Sequence, residues 1–153
     1  MKSQTIELSI ACESDVPALG TLLALLFAQE AEFAPNSEAQ ERGLLKIIEN
    51  PQIGFILIAK IDGLAVGMVN VLLTVSTALG ERVAIFEDMI VAPALRNSGT
   101  GSQLIAHAIK EARKQHCKRI TVLSDNSNQA AHKFYTKHGF MQSNMIPLRL
   151  HLD

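Results

Sequence analysis

The sequence predicts one α/β (α+β) domain over residues 1–153, with elements in the order βααβββαβαββ. Two early segments carry apolar residues at helical spacing, whereas the middle of the chain consists of apolar runs of strand length. Asp62-Gly63 joins two of those runs and is a two-residue hairpin signal, because a type I′ turn needs positive φ at both positions. A later apolar strand leaves through Val91-Ala92-Pro93-Ala94-Leu95-Arg96-Asn97-Ser98-Gly99-Thr100-Gly101 straight into an amphipathic helix. Hairpins in one half and a strand-to-helix crossover in the other make a mixed architecture.

Residues 5–11 alternate weakly and read as the first strand. Ser14-Asp15 then supplies an N-cap, and Pro17 is tolerated in the first turn. Val16, Leu19, Leu22, Leu23, Leu26 and Phe27 recur at helical spacing, which predicts a buried helix over 15–30. After Pro35-Asn36, Ser37-x-x-Gln40 forms a capping box for a second helix with Leu44, Leu45, Ile47 and Ile48 on its apolar face. Asn50-Pro51 ends it. Strands follow at 53–61, 64–76 and 83–91. A helix over 100–116 turns Leu104, Ile105, Ala108, Ile109 and Ala112 inward. A short strand at 119–123 precedes a helix at 127–138, stopped by Gly139 at its C′ position. Residues 140–145 and 148–150 read as two final strands flanking Pro147.

Composition excludes several classes. With 14 basic and 15 acidic side chains, the formal net charge is −1, so no polyanion such as nucleic acid is expected as a partner. No apolar run is long enough for a membrane span, and the opening residues lack the apolar core of a signal peptide. Cys12 and Cys117 are far apart, as suits reduced thiols in a cytoplasmic protein. The five histidines show no ligand spacing, and no metal is expected.

The 91–101 loop holds the first chemistry. A glycine-punctuated loop opening a helix can aim several backbone N–H groups at one point, where the helix N-terminus adds about half a positive charge. Such a loop suits phosphate or pyrophosphate. Arg96-x-x-Gly99-x-Gly101 lacks the Gly-Lys-Ser/Thr ending of a triphosphate loop and the third glycine of a dinucleotide fingerprint. An ordinary strand-to-helix turn is the alternative.

Asn128-Gln129-Ala130-Ala131-His132-Lys133-Phe134-Tyr135, with Gly139-Phe140, joins that loop in resembling the GNAT superfamily of acyl-coenzyme-A-dependent N-acyltransferases. The two motifs stand in the family's order, and the elements around them fit over essentially the whole chain. The resemblance implies a mixed, mostly antiparallel central sheet that splays open beside the strand at 83–91. It further implies acetyl-CoA as co-substrate. Arg96, Asn97, Ser98, Gly99, Thr100, Gly101 and Ser102 would cradle its pyrophosphate, largely through backbone. Asn97 and Thr100 depart from the Gly and aliphatic residues common in the family. Asn128 and Phe134 belong to the motif that closes the site, and Asn128 equally suits a helix cap.

Three further assignments come with the resemblance. Tyr135 is the tyrosine that would protonate the departing thiolate; a core aromatic with one hydrogen bond is the alternative. Glu87 and Asp88 interrupt an apolar strand, where buried carboxylates are costly. Strand alternation turns them to opposite faces. Glu87 is the candidate base for the amine, and Asp88 a candidate substrate contact. Met89, Ile90 and Val91 would bind pantetheine through backbone, with the Ile90 N–H polarising the acyl carbonyl. Cys117 lies near a helix C-terminus, where the dipole disfavours a thiolate, and is not expected to carry an acyl group.

The expected activity is acetyl transfer to a primary amine of a small molecule, by direct attack in a ternary complex. Phe27, Glu30, Glu32 and Phe33 would border the acceptor. A protein or peptide N-acetyltransferase and a non-catalytic acyl-CoA-binding regulatory module are the alternatives. Related folds often dimerise, which leaves a homodimer open.

Overall fold

The computed structural model describes residues 5–29 and 35–152. Its elements are β1 (Glu7–Ile10), α1 (Val16–Gln29), α2 (Ser37–Ile48), β2 (Gly54–Ile61), β3 (Leu64–Ser76), β4 (Glu81–Val91), α3 (Thr100–Lys114), β5 (Ile120–Val122) and α4 (Gln129–Lys137). The chain divides into two compact units, Met1–Leu123 and Ser124–Asp153.

In the first unit the strands lie in the order β1-β2-β3-β4-β5. The first four pair antiparallel and β5 runs parallel to β4. Asp62 and Gly63 turn the β2–β3 hairpin with φ of 51° and 78°, as the sequence predicts. Gly54 opens β2 where a Cβ would lie 2.5 Å from the Val71 carbonyl oxygen, so only glycine lets the two backbones meet there. Along β3, Met68 belongs to the core under α1 and α2 with Ile56, Ile58, Leu19, Leu23, Leu44 and Ile90. Gly67 faces the other way, where an added Cβ would meet Leu104 of α3. Helices therefore cover both faces of the sheet, and β2 is buried along almost its whole length.

Local signals went astray at the helix starts. Asn36, not Ser37, caps α2: its Oδ1 accepts the Ala39 N–H at 3.2 Å. Ser14-Asp15 does not cap α1 either. Asp15 sits in a short 3₁₀ turn, reaches back to accept the Cys12 N–H at 2.9 Å, and pairs with Lys60 on β2 at 2.8 Å. Burial opposes that ionisation, but the Lys60 and Cys12 hydrogen bonds outweigh it and hold Asp15 below its usual range. Helix α3 stops at Lys114 because His116 takes φ of 66°, letting the Cys117 N–H bond the Ala112 carbonyl.

In the second unit, Asn128 Oδ1 accepts the Ala131 N–H at 3.0 Å and starts α4; Gly139, at φ 96°, ends it. The two expected strands at 140–145 and 148–150 do not form. Residues 141–152 are exposed and join no ladder. Alternating apolar residues suit a strand, but a strand also needs a neighbour for its backbone groups.

Candidate functional site

The β3–β4 ladder contains the irregularity that builds the site. Val69 pairs with Met89, but Val71 pairs with Phe86, so Asn70 stands opposite two residues, Glu87 and Asp88. This is a β-bulge. Met89 and Phe86 both share the face of Val69 and Val71, which places Glu87 and Asp88 together on the other face with Asn70. The expectation that strand alternation separates the two carboxylates is thus corrected: both line one cleft. Glu87 is exposed, whereas Asp88 is half-buried, reversing the burial inferred for Glu87. Burial pushes the Asp88 carboxyl up to about 6; the Asn70 hydrogen bond works against this, and the neighbouring Glu87 charge adds to it. Asn70 Nδ2 donates to Asp88 Oδ2 at 2.6 Å.

The cleft has a volume of about 330 Å³. Leu23 and Phe27 of α1 and Ala39, Gln40, Gly43, Leu44 and Ile47 of α2 form its walls, with Asn36 beside them. Phe27 is thus a wall residue of this cleft. Glu30, Glu32 and Phe33 lie outside the described residues. Asn70 Oδ1 and Gln40 Oε1 are buried with no hydrogen-bond partner. Sequence reasoning missed both residues. Asn70 was legible as a lone amide between Val69 and Val71 in an apolar strand, and Gln40 as a polar residue one turn before Leu44 on the apolar side of α2.

Beyond the bulge, β4 loses its outer neighbour. β5 pairs only with Ala84, Ile85 and Phe86, leaving the edge from Glu87 to Val91 without a β5 partner. The Ala92 N–H bonds the Val66 carbonyl of the adjoining strand. Backbone groups alternate along a strand, so the Ile90 N–H also points towards β3, and those of Met89 and Val91 point away from it. The expectation for the Ile90 amide is corrected accordingly.

The chain then passes through a 3₁₀ turn, Pro93–Leu95, into the loop before α3. Asn97 and Gly99 take φ of 64° and 92°. The first bond of the helix runs from Gln103 N–H to Gly99 O, so earlier amides point out of its start. A Cβ on Gly99 would meet nothing within 4 Å. Thr100 is buried, and its hydroxyl meets Ser98 Oγ at 3.0 Å; Ser98 in turn donates to the Leu95 carbonyl. These two hydroxyls brace the loop from within. Arg96 Nε donates to Val91 O at 3.2 Å, which ties the loop to the end of β4.

The second unit holds Asn128, Phe134 and Tyr135. The Phe134 and Tyr135 rings meet edge-on at 5.3 Å, and Tyr135 meets Phe140 at 5.5 Å. Burial pushes the Tyr135 phenol up to about 12, so it stays protonated throughout the neutral range. Burial also raises the Cys117 thiol, with nearby Arg82 opposing and Glu81 assisting, which leaves little thiolate for nucleophilic attack.

A sequence profile of the acetyltransferase (GNAT) family matches residues 21–140. The chain belongs to this family. The GNAT relatives include an uncharacterized N-acetyltransferase, YhfO, of Bacillus subtilis, 30% identical over 121 residues, which are 77% of this chain and 80% of the relative. The aminoalkylphosphonate N-acetyltransferase of Salmonella typhimurium is 28% identical over 138 residues, 90% of this chain and 86% of that protein. The GNAT fold itself is shared with solved structures. Aminoglycoside N-acetyltransferase AAC(6')-Iy in complex with CoA superposes with a TM-score of 0.82 at 16% identity, covering 98% of this chain and 97% of that one.

The protein is accordingly an acyltransferase enzyme of a family that uses acetyl-CoA. Its residues fit the anionic part of that co-substrate. The space a Cβ would fill at Gly99 lies at a helix start whose amides point outward, and the pairing of β4 with β5 has ended before it.

Proposed function

We propose that this acetyltransferase moves an acetyl group from acetyl-CoA to the primary amine of a small molecule, by direct attack in a ternary complex within one GNAT domain. The observation that carries this reading is the β4 bulge. It supplies two carboxylates to a walled cleft, next to the strand edge whose pairing with β5 has ended. A family profile spanning 21–140 supports the single domain, because it crosses the boundary between the two compact units. The cleft's size, and relatives named for aminoalkylphosphonate and aminoglycoside acetylation, support a small acceptor.

The co-substrate supplies an activated acyl group on a thioester. Amides of the Arg96–Ser102 loop hold its pyrophosphate, and β4 beyond its pairing with β5 hydrogen-bonds its pantetheine arm. One of those β4 amides also stabilises charge developing on the acyl oxygen. An acceptor amine arrives protonated at neutral pH and must lose a proton before it attacks. Asp88 takes that proton. Near 6, its affinity for a proton lies closer to the working pH than that of an ordinary carboxylate. Glu87, exposed at the same cleft, anchors the ammonium and relays the proton to water. Tyr135 protonates the leaving thiolate.

Coenzyme A release measured from pH 5 to 9 tests the assignment. Asp88→Asn is expected to lower kcat most near neutral pH and to recover as the free amine accumulates. Glu87→Gln is expected chiefly to raise KM. A pH-dependent kcat loss in the Glu87 variant, with none in the Asp88 variant, would return the base role to Glu87.

A further inference from the structure

Four residues that carry hydrogen-bond acceptors, Gln40, Asn70, Glu87 and Asp88, line the cleft. The two carboxylates stand on the bulge opposite Asn70, whose Oδ1, like Gln40 Oε1, is buried without a partner. An alkylammonium group offers three donors and no acceptor, and its positive charge answers the two carboxylates. Among the described residues that line the cleft there is no Lys or Arg.

The rest of the cleft is apolar. Leu23, Phe27, Leu44 and Ile47 surround the polar floor. At about 330 Å³ the space is at the lower end of ligand clefts, enough for a short chain or one ring. An anionic substituent there would lie against two carboxylates with no cation to receive it.

Resting on the acetyltransferase reading above, we propose that the acceptor is a compact, apolar-bodied cationic amine, an alkylamine or arylalkylamine, and that the cleft rejects amines carrying a phosphonate or carboxylate. Glu87 and Asp88 set this specificity by receiving N–H donors, and the α1–α2 walls set it by burying the hydrocarbon. The inference separates this chain from its relative named for aminoalkylphosphonates, with which it shares 28% identity.

The test pairs turnover with direct binding. Coenzyme A release is followed with ethylamine, butylamine, hexylamine, 2-phenylethylamine, 2-aminoethylphosphonate and kanamycin, and 2-phenylethylamine binding to the free protein is measured by calorimetry. Along the alkyl series kcat/KM is expected to rise about fourfold per added methylene until the cleft is full. 2-Phenylethylamine should bind, and 2-aminoethylphosphonate should be turned over at least about 100-fold less efficiently than butylamine, the loss of a buried charge without a partner. Ala39→Lys places a cation on the cleft wall and is expected to narrow or invert that ratio while the protein stays folded by circular dichroism. Preference for 2-aminoethylphosphonate or kanamycin over every alkylamine would overturn the proposed acceptor and leave the acetyltransferase reading standing. No release with any amine, although acetyl-CoA binds, would overturn the proposed transfer to a small-molecule amine itself.

Discussion

Asp88 should make the folded protein less stable above about pH 6, and removing its charge should reveal by how much. Its carboxyl is raised from an ordinary 3.8 to about 6, first by burial and then by the Glu87 charge, with the Asn70 hydrogen bond opposing. At 1.36 kcal/mol for each tenfold change in proton affinity, this corresponds to about 3 kcal/mol. The sign follows from linkage. The folded state holds the proton more tightly than the unfolded chain, so stability falls as pH rises from about 4 to about 6 and stays reduced above that. Asp88→Asn keeps an oxygen to accept the Asn70 N–H donated at 2.6 Å in the parent, and it never ionises. For a chain of 153 residues, about 3 kcal/mol corresponds to a rise in Tm of about 6–12 °C at pH 8. Below about pH 4 the two proteins should melt together. Calorimetric melts of both at half-unit steps between pH 3.5 and 8 provide the assay. A variant no more stable than the parent at pH 8, or a gap that does not change with pH, would refute a buried, destabilising charge at this position.

Two further outcomes address the other proposed roles. Tyr135→Phe keeps the edge-on ring contacts with Phe134 and Phe140 but loses the phenol proton; turnover should fall about 10²-fold with coenzyme A affinity unchanged, and parent-like turnover would reduce Tyr135 to a packing residue. Gly99→Val forces a β-branched residue to φ of 92° and fills open space at the helix start; coenzyme A affinity by calorimetry should fall about tenfold, and an unchanged Kd in a folded variant would remove this loop from the site.

Much of the fold was legible in the sequence because its signals are local. Asp62-Gly63 specifies its own turn, the apolar spacing of α1 and α3 specifies a face, and Gly99 and Gly139 mark helix ends through their tolerance of positive φ. The paired motifs around Gly99–Gly101 and Asn128–Tyr135 pointed to the family through the same kind of short-range pattern. The cleft beside the β4 bulge was not legible in that way. Its polar floor joins Gln40, Asn70, Glu87 and Asp88 from one helix and two strands, and no period in the sequence relates those positions. Even the neighbours Glu87 and Asp88 were misassigned to opposite faces, since a bulge is a property of two strands in register. The same limit explains the C-terminal segment, whose alternation is written into residues 140–150 while its pairing is not. Turns and caps are decided by the residues that form them; registers, bulges and buried polar clusters are decided by distant segments competing for the same backbone hydrogen bonds and the same apolar volume.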